Sequence, residues 1–204
     1  MRRAGPGRGS GRASGPTADL GFDQVTDEEL AQRAAHGDGP AFELLIRRHQ
    51  EGAWRFALTL VGSPDEAEEA VQEAFYRAFR GIRSFRGDSA FRTWLFAICR
   101  RACMDLGARR TNVVPLAEAH RLRQPDERLE ERQVIEETMA AMSQEERSAF
   151  VLVDVLGFSR EEAAGAEGVP SSTLKSRLYR ARDRLAAALQ TTDDNEMRGE
   201  RNEV

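Results

Sequence analysis

Apolar residues recur along this chain at three- and four-residue spacing in one segment after another, and runs of β-branched residues are almost absent, so the pattern predicts helices throughout. Thr26 and Glu29 form a capping box that opens a first helix, which stops at Gly37. A second helix carries Pro40 in its first turn and Phe42, Leu45, Ile46, His49, Ala53, Phe56, Ala57 and Leu60 on a core stripe, before Gly62 ends it. Ser63, Pro64 and Glu66 supply an N-cap, an N1 proline and a Glu at N3. They predict a third helix to about Gly81, with Ala67, Ala70, Val71, Ala74, Phe75 and Ala78 inside. A fourth helix is expected from about Ser89 to Ala108, capped by Asp88 or Ser89 after a break at Gly87. Phe91, Trp94, Leu95, Ile98, Ala102 and Leu106 share one side of it, while Phe96, Arg100, Cys103 and Met104 lie on the other. Such a helix needs contacts on both sides, and Trp94 belongs to its core stripe.

Periodicity is lost at 112–126, where Pro115 and Pro125 mark a linker. An acidic helix follows with Leu129, Ile135 and Met139, then a capping box at Ser143 and Glu146 opens a helix that closes at Gly157. Ser159 with Glu162 caps a short helix, Gly168-Val169-Pro170 turns, and Ser171 opens a long helix with Leu174, Leu178, Ala181, Leu185 and Leu189 inside. Short helix, glycine-containing turn and longer helix make a helix-turn-helix pattern. The expected fold is all-α, with two small helical domains at 21–111 and 127–190 joined by a flexible linker at 112–126. A disordered basic tail is expected at 1–20, and a second disordered tail at 191–204.

The formal net charge of −4 excludes a bulk polycation, but it averages over blocks of opposite sign. Asp65, Glu66, Glu68, Glu69 and Glu73 crowd the outer face of the third helix, as a solvated surface or as a dock for a basic partner. Arg83, Arg86, Arg92, Arg100, Arg101, Arg109 and Arg110 surround the fourth helix against only Asp88 and Asp105. Interleaved with Phe85, Phe91 and Phe96, they are what unstacked bases and their phosphates require. On the last helix Ser172, Ser176, Tyr179 and Arg180 form an exposed face flanked by Lys175, Arg177, Arg182 and Arg184. Hydroxyl and guanidinium groups of that kind read base edges and hold phosphates in a major groove.

Two cysteines, Cys99 and Cys103, give no disulfide framework and are expected as small buried hydrophobes; His49, on a core stripe, is expected as a packed residue. No run reaches the length of a membrane span and no secretory-signal core is present, so a cytoplasmic location is expected. No phosphate-binding glycine loop, zinc-protease helix or nucleophile elbow occurs. The expectation is a non-enzyme with no catalytic residue, metal site or cofactor.

Three stretches taken together resemble one family: 65–75, 85–95, and 168–170 with 174–182, in that order and separated by a linker of suitable length. They are similar to the extracytoplasmic-function (ECF) group of bacterial RNA polymerase sigma factors, over about residues 26–189. The resemblance implies a region 2-like domain, a region 4-like domain, and two partners, core RNA polymerase and promoter DNA. It implies core polymerase contacts at Asp65, Glu68, Glu69, Gln72 and Glu73. Contacts to the −10 element are implied at Phe85, Arg86, Asp88, Ser89, Arg92, Arg100 and Arg101. Contacts to the −35 element are implied at Ser172, Thr173, Lys175, Ser176, Arg177, Arg180 and Arg182. Whether an anti-sigma factor sequesters the chain is left open.

The chain departs from the family pattern at Ala163, Ala166 and Glu167, where larger apolar residues are usual, and at Gly165, which costs a helix about 1 kcal/mol relative to Ala. Ser171-Ser172 stands where a glycine is often found, and Arg101 where an asparagine is common. The alternative is a stand-alone helix-turn-helix regulator that binds an operator without core polymerase, and a third reading is a helical adaptor for protein partners alone. An operator-binding regulator would need neither the acidic helix nor the 85–95 stretch.

Overall fold

A computed structural model describes residues 25–108 and 129–200, with side chains described at 25–107 and 133–190. The expected N-terminal tail, the linker at 112–126, and Arg109 and Arg110 lie outside the described residues. Every regular element among the described residues is helical: α1 (Asp27–Ala35), α2 (Gly39–Val61), α3 (Pro64–Gly81), α4 (Phe91–Ala108), α5 (Leu129–Ala141), α6 (Gln144–Phe150), α7 (Arg160–Glu167) and α8 (Ser171–Glu200). A 3-10 turn at Ile82–Ser84 follows α3, and a π-helical turn at Val151–Val155 extends α6.

Capping residues set most of these boundaries. Thr26, Ser143 and Ser159 each complete a capping box with the Glu three residues on, satisfying backbone N–H groups that the first turn leaves unpaired. Gly62 and Gly168 end α2 and α7 in the left-handed conformation, at φ 76° and 68°, where a side chain would be strained. Ser63 differs from expectation: α3 starts after it, but its hydroxyl makes no capping hydrogen bond. The proline and acids that follow carry the start.

α4 also begins later than expected. Neither Asp88 nor Ser89 caps it; the helix starts at Phe91, whose backbone N–H donates to Glu28 Oε1 of α1 at 3.2 Å. Ser89 instead turns its hydroxyl to the Ala90 carbonyl at 3.4 Å. A carboxylate at a helix N-terminus meets both an orphan N–H and the positive end of the helix dipole, so α1 does from a distance what a local cap would do. At the far end of the chain α8 continues as helix to Glu200, beyond the expected end near 190.

α1 to α4 pack around Leu30, Leu45, Phe56, Phe91 and Leu95, each nearly removed from solvent. The same apolar core runs on into the second half through Leu152, Phe158, Ala163 and Leu174, so the two halves share one interior. α4 is the common wall. Its Phe91, Leu95 and Ala102 are buried on one side, and its Thr93, Phe96 and Cys103 are buried as well, as a helix with apolar residues on both faces demands. Phe96 lies between Phe56 of α2 and Phe158, with ring centroids 5.5 and 5.0 Å away. A further link runs from Gln144 Nε2 to the Leu60 carbonyl at 3.2 Å. Met142, Ala181 and Leu185 form a smaller cluster where α5 meets α8, and Arg147 Nη1 donates to the last carbonyls of α5 at Met139 and Ala140.

Trp94 sits half-buried in an aromatic group with Phe85 and Phe91, and Cys99 and Cys103 are buried. The Cys99 thiol is pushed up by its hydrogen bond with Cys103 and by burial, which keeps it in the unreactive protonated form. His49 packs in the α1–α2 seam with Nε2 2.6 Å from Asp27 Oδ2. Replacing Glu28 by Ala should remove the cap of α4 and lower stability by about 0.5–1 kcal/mol in urea unfolding, with Glu28→Gln recovering part of the loss.

Candidate functional site

Three surfaces carry the residues singled out by the sequence. The first is the outer face of α3, where Asp65, Glu68, Glu69, Gln72 and Glu73 are all exposed. Gln72 donates to Glu68 at 3.2 Å, and Arg77 bridges Glu73 and Asp105 at 2.7 and 2.6 Å, tying this face to α4. One helical turn further, Tyr76 and Phe79 are more than half exposed, and Phe79 leans on Phe42 at 5.2 Å. Sequence reasoning missed this aromatic extension, although residues 69, 72, 76 and 79 fall on one face by helical spacing. A shallow groove beside it is lined by Glu69, Gln72, Glu73, Tyr76 and Asp105.

The second surface is the loop before α4. Arg86, Asp88 and Ser89 are exposed on it, and Gly87 takes φ 75°, a turn only glycine enters without strain. Phe85 is turned inward, with its ring 5.8 Å from Phe91 and 5.2 Å from Trp94, so it anchors the loop. The other basic positions expected with the loop are spread along α4. Arg101 is exposed, but Arg92 and Arg100 face the second half of the molecule.

There Arg92 makes a two-pronged pair with Glu162 of α7: Nε donates to Oε1 at 2.9 Å and Nη2 to Oε2. Its guanidinium stacks over the Phe158 ring with 4.5 Å to the centroid. Glu162 also accepts from the Ser159 N–H at 2.8 Å as the capping-box acid of α7. The Arg92 hydrogen bond, aided by Ser159, holds the Glu162 carboxyl down at about 2 against its ordinary 4.5. The Glu167 side chain is fully buried, and one oxygen, Oε2, meets both Arg100 Nε of α4 at 3.3 Å and Arg177 Nη1 of α8 at 3.2 Å. Its other oxygen accepts from the Ser148 hydroxyl.

The third surface is the helix-turn-helix. Gly168 and Val169 N–H groups bond back to Gly165 and Ala164, closing α7, and the Pro170 carbonyl accepts from Thr173 and Leu174 to start α8. Ser172, Lys175, Ser176, Tyr179 and Arg180 are exposed on α8 and Thr173 is half-buried; the Ser176 hydroxyl bonds back to the Ser172 carbonyl at 3.0 Å. The arginines toward the helix sides are ion-paired: Arg180 and Arg184 with Glu146 at 3.0 and 3.6 Å, and Arg182 with Asp154 at 2.7 Å. The small residues of α7 do not leave it loose. Ala163, Ala164 and Ala166 are buried, and Gly165 faces the Thr93 methyl so closely that a Cβ there would lie 3.1 Å from it.

Sequence reasoning located the basic groups but missed their acidic partners. Glu146 and Glu162 were readable only as capping residues, and pairings over 34 and 70 residues leave no local signal. Among the described residues no group of His, Cys, Asp and Glu could hold a metal ion, and no helix is long and apolar enough to cross a membrane.

Residues 45–112 match the family model for sigma-70 region 2, and residues 132–185 match that for sigma-70 region 4. The chain is 34% identical to the ECF RNA polymerase sigma factor SigM of Mycobacterium tuberculosis, covering 83% of this chain and 87% of that protein. It is 31% identical to the ECF RNA polymerase sigma-E factor of Escherichia coli, over 80% of this chain and 94% of that one. Among solved structures it is similar to CnrH in complex with the cytosolic domain of CnrY (TM-score 0.63, 28% identity, 81% and 97% of the two chains). It is also similar to the sigma factor RpoE of Bartonella quintana in complex with the anti-sigma factor NepR (TM-score 0.58, 26% identity, 73% and 96%).

The depressed Glu162 carboxyl stabilises the fold fully above its ordinary value of 4.5 and loses that contribution as pH falls towards about 2. The stability advantage of the native chain over Glu162→Gln should therefore be constant above pH 4.5 and vanish progressively between that value and about 2, as read from urea midpoints at each pH.

Proposed function

We propose that this chain, which belongs to the ECF group of sigma-70 factors, is an initiation factor that binds core RNA polymerase and directs it to promoters. The observation that carries this is one chain holding region 2 and region 4 matches in order, with an exposed acidic helix in the first and an exposed hydroxyl–arginine helix face in the second. A stand-alone operator-binding regulator is not favoured.

In this reading the α3 face of Asp65, Glu68, Glu69, Gln72 and Glu73 docks on a basic surface of core polymerase, with Tyr76 and Phe79 adding apolar area. Their exposure supports the assignment. The loop residues Arg86, Asp88 and Ser89, held in place by Phe85 and with Arg92, Arg100 and Arg101 behind them, serve the −10 element. Melting is uphill in a duplex, so the factor holds an unpaired strand on arginines and lets that binding energy offset unpairing. Of these, Arg86, Asp88, Ser89 and Arg101 are exposed.

α8 reads the −35 element as duplex, with Ser172, Thr173, Ser176 and Arg180 toward bases and Lys175, Arg177 and Arg182 toward phosphates. Chemistry is left to the polymerase, so the chain acts as a non-enzymatic specificity factor in the cytoplasm where its partners reside. An anti-sigma partner fits the same reading, because one similar solved structure, RpoE of Bartonella quintana, is bound to such a protein.

Reconstitution with core polymerase and a promoter library should give transcription from a subset of promoters. Reversing charge at Glu69 and Glu73 should abolish core association while leaving the helical circular dichroism unchanged; tight DNA binding with no core association by the native chain would sink the sigma reading. On α8, Lys175→Ala should weaken binding at all promoters alike. Ser176→Ala should instead relax preference at one −35 position by about 1–3 kcal/mol, as competition between single-base variants would show.

A further inference from the structure

We propose that α7 is a carboxylate latch: Glu162 and Glu167 hold Arg92, Arg100 and Arg177 in the place of phosphates and so keep the two halves shut. The latch rests on the assignment of those arginines as phosphate-binding groups. The fork that Arg92 presents to Glu162, Nε to one oxygen and Nη2 to the other, is the one a guanidinium presents to a phosphate. While it is closed on Glu162, that fork is occupied, with Nη2 also reaching the Gly157 carbonyl at 3.4 Å, so a nucleic-acid strand is left only the outer Nη1.

Glu167 makes the latch cooperative. Its side chain is fully buried, and the same oxygen is shared by Arg100 of α4 and Arg177 of α8, each assigned to a different promoter element. When α4 swings away, Glu167 loses one of two cations and must be hydrated. A buried carboxylate is costly with fewer partners, so partial opening is disfavoured. Arg92 and Arg100 ride on one rigid helix and leave together. A phosphate that captures either therefore frees the other, and it weakens the hold on Arg177 at the same time.

The closure is finished by small contacts. Phe158 packs on Phe96 and lies beneath the Arg92 guanidinium, and the missing side chain of Gly165 lets α7 come within reach of the Thr93 methyl. The acidic face of α3 remains exposed in this closed form. Thus the latch covers arginines of α4 and α8 and leaves the other candidate surface open.

The 3.1 Å spacing between a Cβ at 165 and the Thr93 methyl suits a bond between sulfurs placed at these positions. The full-length Thr93→Cys/Gly165→Cys chain should form a disulfide on mild oxidation, with each single variant as a control. Binding is read by anisotropy with fluorescein-labelled random-sequence DNA, single-stranded and duplex, across a salt series, so that neither polymerase nor a promoter is needed. The oxidised chain should bind at least about tenfold more weakly than its reduced form, with a shallower salt slope. Glu162→Gln should bind more tightly than the native chain and steepen the duplex slope by about 0.9 for each additional phosphate neutralised.

Glu167→Gln should do the same, and if it fails to fold, Glu162→Gln carries the test alone. Failure of the disulfide to form, equal DNA binding by locked and reduced chains, or no tighter binding by Glu162→Gln would each overturn the latch. None of these outcomes depends on whether the chain supports transcription, so a failed reconstitution with an intact latch would overturn the initiation-factor reading only.

Discussion

A carboxylate removed from water must be held by positive charge, and Glu167 is held from two directions at once. Arg100 reaches it from the first half of the chain and Arg177 from the recognition helix. Because one oxygen serves both, the position of α4 relative to α8 is fixed by a point. The surrounding contacts then follow: Phe96 on Phe158, the Arg92 fork on Glu162, and Thr93 against a glycine. The α7 helix is short, yet it carries the ion pairs through which the halves meet, beside the Gln144–Leu60 link and the Phe96–Phe158 contact.

The helices themselves were legible because their information is local. Capping boxes at Thr26, Ser143 and Ser159 and left-handed glycines at 62 and 168 sit where local spacing puts them. The start of α4 was not legible, because its cap is a side chain 63 residues away. The same distinction explains the shared interior. Apolar residues on both sides of α4 announced that something must cover its second face, but no spacing rule names the covering element.

For the candidate surfaces, the sequence identified the groups that seek charge and could not see which charges they already had. Exposed positions such as Arg86, Lys175 and Ser176 stand as the helical projection suggests. Arg92, Arg100, Arg177, Arg180 and Arg182 are all committed to carboxylates. Two of those acids, Glu146 and Glu162, do two jobs with one side chain, closing a helix start and pairing with an arginine. A capping motif is recognised so readily in sequence that its second role is easily missed. Phe85 shows the converse, since an aromatic ring in a basic loop looked available and is in fact packed against Phe91 and Trp94.

Gly165 weakens its helix in isolation, yet its lack of a side chain is what allows α7 to approach α4. Residue volume at this single position therefore bears on how closely the halves fit: a Cβ at 165 would raise the helix propensity of α7 by about 1 kcal/mol but would press on the Thr93 methyl at 3.1 Å. A substitution there would alter the seam without changing any of the residues proposed to meet nucleic acid or polymerase.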